Sequence, residues 1–219
     1  MRRFFVTAAL ALGVSPASAL ACQLSLVLGV DVSHSIDNNE YAFQIGGMAE
    51  ALNDPVIAGA LVEQSAAVAV VQWSGAAEQE ISIPWVQIRT SSDVRALSQR
   101  MRTLARPWES SNTAVGAAIE TMTQLIRSGP SCARQVIDFS GDGINNSGPL
   151  PQEARGRAIA DGITINGLAI DRIGLSVTQY YKGHVITGRD AFVVTAKGYR
   201  DYPRAIRMKL FRELLPPSS

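Results

Sequence analysis

The chain is short of the residues that announce many kinds of chemistry. It has two histidines, His34 and His184, with no acidic or cysteine cluster beside His184, so a histidine-rich zinc site is not expected. It has two cysteines, far too few for a disulfide-dense scaffold. It has no excess charge: 20 Lys and Arg against 19 Asp and Glu give a formal net charge of +1, which offers no electrostatic footprint for a nucleic acid. No GxGxxG follows the first apolar strand and no P-loop is present, which argues against nucleotide binding. The GxSxG elbow of the serine hydrolases is also missing. There is no internal repeat, long linker or block of like charge, so the mature chain reads as one domain with a sizeable core.

Long apolar runs are scarce as well. The one at residues 4–14 follows Arg2 and Arg3 and precedes the small residues Ala17-Ser18-Ala19 and Ala19-Leu20-Ala21. It is too short to span a bilayer and has the order of a secretory signal, here taken as residues 1–21, with cleavage after Ala19 or Ala21. Residues 22–219 then form the mature domain, expected to be soluble and periplasmic or secreted. Loss of Arg2 and Arg3 moves its formal charge from +1 to −1. Lipid anchoring through Cys22 competes with this reading, but Ala19-Leu20-Ala21 lacks the large aliphatic residue usual three positions before a lipidated cysteine.

What the chain does have is alternation. Apolar strands are predicted over 24–30, 66–73, 134–139, 163–170 and 192–196, with an alternating segment at 81–86 interrupted by Pro84. Helical spacing occupies 38–52, 92–104, 114–126, 155–161 and 202–215. Continuous apolar strands separated by helices call for an α/β, doubly wound, mostly parallel sheet with helices on both faces. Pro84 cannot donate to a ladder, which places 81–86 at an edge. Asp138 is out of keeping with its apolar strand and needs a hydrogen-bond donor or an Arg partner.

Oxygen donors gather where these strands end. Asp31-Val32-Ser33-His34-Ser35 follows the first strand, Ser111-Asn112-Thr113 opens a helix, and Ser140-Gly141-Asp142-Gly143 follows the fourth strand. In a doubly wound sheet the strand order reverses between strands one and four, and ligands bind at the carboxyl ends there. Hard cations such as Mg²⁺ take oxygen ligands of this kind. Turn and capping duties are the plainer alternative: Asp37 and Glu40 have the spacing of a capping box, and Thr113 could cap the helix that follows.

In these three segments the chain resembles the von Willebrand factor type A (VWA) domains, whose metal-ion-dependent adhesion site (MIDAS) is built from DxSxS, a distant Thr and a later Asp. It is most similar to a group of exported proteobacterial VWA-like proteins of unknown function, over residues 23–215. The resemblance implies a six-stranded sheet of order 3-2-1-4-5-6 with one antiparallel edge strand. It implies Asp31, Ser33, Ser35, Thr113 and Asp142 as ligands of Mg²⁺, with Mn²⁺ or Ca²⁺ as alternatives. It further implies a non-catalytic, adhesion-type module in which an Asp or Glu carboxylate of a protein partner completes the metal's shell.

Trp108, Asn112, Asn145 and Asn146 would then form the rim facing the partner, with Trp108 either an exposed anchor or an ordinary packed residue. His34 sits inside the DxSxS turn but is expected to point away from the cation. A metal-dependent, phosphatase-like hydrolase using Asp31 as nucleophile is the alternative, weakened by Ser33 where such enzymes want a second Asp. The last helix carries several basic residues and is expected to dock on the sheet rather than on a membrane. The sequence has no signature of an oligomeric state. Cys22 lies nine residues before Asp31 and Cys132 ten before Asp142, so both enter neighbouring parallel strands at the same end. That placement favours a Cys22–Cys132 disulfide over a lipidated Cys22 or two free thiols.

Overall fold

The computed structural model describes residues 22–109, 111–172, 174 and 176–214. The signal-peptide assignment to residues 1–21 lies outside them. Six strands, β1 (Leu24–Asp31), β2 (Ala67–Trp73), β3 (Gln79–Gln87), β4 (Arg134–Gly141), β5 (Thr164–Ile170) and β6 (Val193–Ala196), form one sheet in the order β3-β2-β1-β4-β5-β6. All neighbours are parallel except β2 and β3. The expected order and the antiparallel edge strand are therefore both present. Along β3 the register shifts around Val70, opposite Ile83 and next to Pro84, where the missing N–H interrupts regular pairing.

Every residue of β1 and β2 is buried, because helices cover both faces. Leu26, Leu28 and Val30 of β1 share a core with α1 (Asn38–Leu52), α2 (Pro55–Glu63), α3 (Ser91–Arg102) and α7 (Tyr202–Leu214). Val27, together with Val71, Trp73, Ile137 and Phe139, belongs to a second core under α4 (Val115–Arg127), α5 (Pro151–Ala160) and α6 (Ser176–His184). The two-residue period of a strand thus divides β1 between two cores. Gly29 supports this division, since a Cβ there would stand 2.7 Å from Met122 Sδ on α4.

Local chemistry sets the helix boundaries. Asp37 and Glu40 form the expected capping box of α1, and Thr90 and Asp93 form another for α3. Two helices escape a sequence reading. α2 is apolar nearly all round and so lacks a contrasting polar face, while α6 is short and includes Val177, Thr178, Tyr180, Tyr181 and Gly183, which are indifferent or poor helix formers. α5 starts at Pro151, four residues before the predicted start at Arg155, because proline suits the first turn of a helix. α7 packs on the sheet through Ile206, Leu210 and Leu214, as expected. No helix among the described residues is long and apolar enough to cross a membrane.

Cys22 and Cys132 are joined in a disulfide with Cα atoms 4.7 Å apart, at the amino ends of β1 and β4. The Cys22 sulfur is thereby committed to the bridge. Asp138 finds its partner not in an arginine but in Lys209 of α7, whose Nζ lies 2.6 Å from Asp138 Oδ1.

Candidate metal centre

β1 delivers Asp31 to the carboxyl edge of the sheet with its side chain fully buried. The turn that follows is held from several directions. The Ser33 amide donates to Asp31 Oδ1 at 2.8 Å, Gln44 Nε2 donates to the Asp31 carbonyl at 3.1 Å, and the Val32 amide donates to the Trp73 carbonyl at 2.9 Å. Arg106 Nη2 donates to the carbonyls of Val32 and Ser33 at 3.1 and 2.9 Å. The turn presents its hydroxyls side by side, with Ser33 Oγ 3.4 Å from Ser35 Oγ.

β4 brings in the second carboxylate. Ser35 Oγ donates to Asp142 Oδ1 at 2.6 Å, which joins the β1 and β4 turns directly. Gly141 makes the approach possible: a Cβ there would stand 2.6 Å from Asp31 Oδ2 and 2.6 Å from Tyr181 Oη. The third segment is tied to both turns. The His34 amide donates to the Ser111 carbonyl at 3.0 Å, and Thr113 is bracketed by Asn146, whose Oδ1 accepts from the Thr113 amide and whose own amide donates to the Thr113 carbonyl. A Cβ at Gly143 would lie 3.3 Å from Thr113 Oγ1, so the threonine hydroxyl rests against the Asp142 turn. Thr113 does not cap α4, whose N-cap is Ala114 without a side-chain bond.

The electrostatics of this cluster are unbalanced. Burial, reinforced by the negative charge of Asp142, pushes the Asp31 carboxyl up to about 7 despite hydrogen bonds from Ser33 and the Asp142 amide. Asp31 Oδ2 is buried with no hydrogen-bond partner among the described residues. Such an atom costs free energy unless something positive or proton-bearing meets it. Tyr181 Oη is likewise buried and unpartnered, and burial beside Asp31 and Asp142 holds that phenol well above its ordinary range. No group of three or more His, Cys, Asp or Glu side chains suited to a metal occurs among the described residues. The cluster is instead two carboxylates with three hydroxyls, the all-oxygen donor set that a hard divalent cation takes.

The rim differs from a simple ring of free side chains. Asn112 is exposed. Asn145 Oδ1 accepts from the Gly116 amide at 3.2 Å and so satisfies an orphan donor in the first turn of α4, while Asn146 braces Thr113. Trp108 is half-buried and packs against the core under α1 and α3. His34 is exposed. Sequence reasoning missed Arg106 and Arg172. Arg172 Nη2 donates to the Ser35 carbonyl at 2.8 Å, to Glu40 Oε2 at 2.8 Å and, at 3.4 Å, to Asp142 Oδ2. Its one available signal was position, two residues past β5 at the same sheet edge as Asp31 and Asp142.

A family model described as "Protein of unknown function (DUF1194)" matches residues 21–218. The chain belongs to this family. No match was found among curated proteins. Similar solved structures show the VWA fold. A von Willebrand factor type A protein from Catenulispora acidiphila aligns with TM-score 0.64 and 14% identity over 89% of this chain and 43% of that one. Proximal thread matrix protein 1 from the mussel byssus, with a zinc-occupied MIDAS motif, aligns with TM-score 0.69 and 16% identity over 89% of this chain and 48% of its own. The pilus adhesin SpaC from Lactobacillus rhamnosus GG, in an open conformation, aligns with TM-score 0.63 and 12% identity over 88% and 30%. This DUF1194 chain therefore spans about half, or less, of the length of these neighbours. At such identities the likeness concerns the fold.

Proposed function

We propose that this DUF1194 chain is an exported, non-catalytic module that binds a protein ligand through a divalent cation held by Asp31, Ser33, Ser35, Thr113 and Asp142. The observation that carries the reading is the buried, unpartnered Asp31 Oδ2, placed in one connected cluster with Ser33, Ser35 and Asp142 at the edge where the strand order reverses. Two carboxylates balance a divalent charge, and three neutral hydroxyls add donors without adding charge. A bound Mg²⁺, or Mn²⁺ or Ca²⁺ in its place, supplies an electrophilic position for one more anionic oxygen. The chain's own part is to hold the donors in place. Ser35 orients Asp142, the Ser33 amide orients Asp31, and Asn146 fixes the backbone of Thr113. An Asp or Glu side chain of a partner protein is the ligand this arrangement suits.

The zinc-occupied motif of the mussel matrix protein and the adhesin assignment of SpaC support the same class of role. Export draws support from the N-terminal signal pattern and from the Cys22–Cys132 bridge, which an oxidising compartment maintains.

Calorimetric titration of chelator-stripped protein with Mg²⁺ and Mn²⁺ should show saturable binding that Asp31→Ala abolishes. In a pull-down from exported proteins, partners should be retained by wild type in Mg²⁺ and lost both in chelator and with Asp31→Ala. Absence of heat from either metal at millimolar concentration sinks the proposal.

A further inference from the structure

Glu40 adds a third carboxylate to the rim. Its Oε2 accepts from the Asp37 amide at 2.9 Å to complete the capping box of α1, and Arg172 Nη2 lies 2.8 Å from the same oxygen. Asp31, Asp142 and Glu40 together carry three formal negative charges, and a divalent cation offsets two. The remaining charge would oppose any acidic ligand, since like charges brought together at a partly desolvated rim cost binding energy. Arg172 removes it. Its side chain is half-exposed, and Nη2 makes all three bonds that tie it to Ser35, Glu40 and Asp142. Nε and Nη1 donate no hydrogen bond to a carboxylate among the described residues, and the guanidinium centre lies 5.4 Å from the centroid of the Tyr199 ring. The other arginine of this region, Arg106, spends its Nη2 on backbone carbonyls behind the DxSxS turn.

We infer that Arg172 is a ligand-recognition residue: the carboxylate that completes the cation's shell is also held by the guanidinium, so the recognition unit is a cation and an arginine side by side. This rests on the metal-binding reading above. A guanidinium carries donors on three nitrogens, so Nε or Nη1 can reach one ligand oxygen while Nη2 stays on Ser35 and Glu40, which the single nitrogen of a lysine cannot do. The ligand class is therefore an acidic side chain whose two oxygens are used together, one on the cation and one on Arg172. Glu40 acts in opposition, weakening anion binding by its charge.

The test uses the mature, disulfide-intact protein with Mn²⁺ alone and then acetate as probe. Mn²⁺ affinity is measured by calorimetry, and acetate binding by NMR line broadening from the paramagnetic ion. Wild type should bind acetate only when Mn²⁺ is present. Arg172→Gln, measured when saturated with Mn²⁺, should lose roughly five- to tenfold in acetate affinity, the scale of a half-exposed charge-assisted contact. Arg172→Lys should recover only part. Glu40→Gln keeps a capping-box residue type and should strengthen acetate binding. Acetate affinity unchanged in Arg172→Gln, with Mn²⁺ still bound, overturns the inference while leaving the metal site standing. Failure of wild type to bind Mn²⁺ overturns both.

Discussion

Lys209 brings one ammonium group to two carboxylates in the core beneath α7. Its Nζ lies 2.6 Å from Asp138 Oδ1 and 2.9 Å from Glu213 Oε1, and all three side chains are within a few per cent of complete burial. Both carboxylates stand within hydrogen-bonding distance of the ammonium, so each half of the cluster is a charge-assisted contact. Burial pushes the Asp138 carboxyl up to about 7, with Lys209 opposing the rise and Glu213 adding to it. Lys209→Met would strand two buried acids. It should cost about 3–5 kcal/mol at neutral pH, the usual result of removing one partner from a buried pair. Urea denaturation at neutral pH checks this, and Asp138→Asn added to Lys209→Met should return part of the loss. A single variant within 1 kcal/mol of wild type would show that the acids are discharged by another route.

Among the elements, α4 is closely hemmed in at Gly116. A Cβ at Gly116 would overlap the carbonyl oxygen of Pro149 and lie 2.9 Å from the Leu150 carbonyl carbon, both backbone atoms in the turn that leads into α5. The Gly116 amide also donates to Asn145 Oδ1, in the same β4–α5 loop that places Asp142 and Asn146. Gly116→Ala should therefore cost roughly 1–3 kcal/mol by overpacking and weaken the metal site as well, because the loop must move to admit the methyl group. Thermal melts and Mn²⁺ titration of the variant check both effects. A loss of stability with unchanged Mn²⁺ affinity would mean that the loop yields without disturbing Asp142.

The elements also show what the sequence made readable. β1, β2, β4 and β5 are buried on both faces, so their continuous apolar runs marked them directly, and with them the edge where Asp31 and Asp142 stand. Contacts set by tertiary geometry left no such mark. Arg172 lies far along the chain from Ser35 and Asp142, and no periodicity encodes a guanidinium crossing between loops. Asn145 and Asn146 followed the Asp142 turn in sequence as expected, yet their side-chain oxygens turn toward the Gly116 and Thr113 amides because those backbone donors need partners. The mismatch of Asp138 with its strand was legible, but a partner on the last helix was not.

For the whole molecule, the two ends of the sheet have different tasks. The Cys22–Cys132 bridge ties β1 to β4 at their amino ends, and the candidate metal centre occupies the carboxyl ends, about 25 Å away along an eight-residue strand. The bridge closes a span of 110 residues, which the chain-entropy model values at about 4–5 kcal/mol as an upper figure. Replacing both cysteines by serine should therefore lower the melting temperature markedly and leave Mn²⁺ affinity unchanged. Calorimetry in both modes tests this, and a parallel fall in affinity would show that strain passes along β1 and β4 from one end to the other.

The sheet's flanks carry a consequence of their own. At one side β3 is antiparallel, breaks register beside Pro84 and exposes Glu80; at the other β6 is four residues long. A ladder interrupted by proline and charge, and one barely a turn's length, are both poor templates for an added strand. Two copies meeting edge to edge gain little, which guards a concentrated solution of the protein against sheet polymerisation. The same blunting makes either edge a poor template for adding a peptide strand.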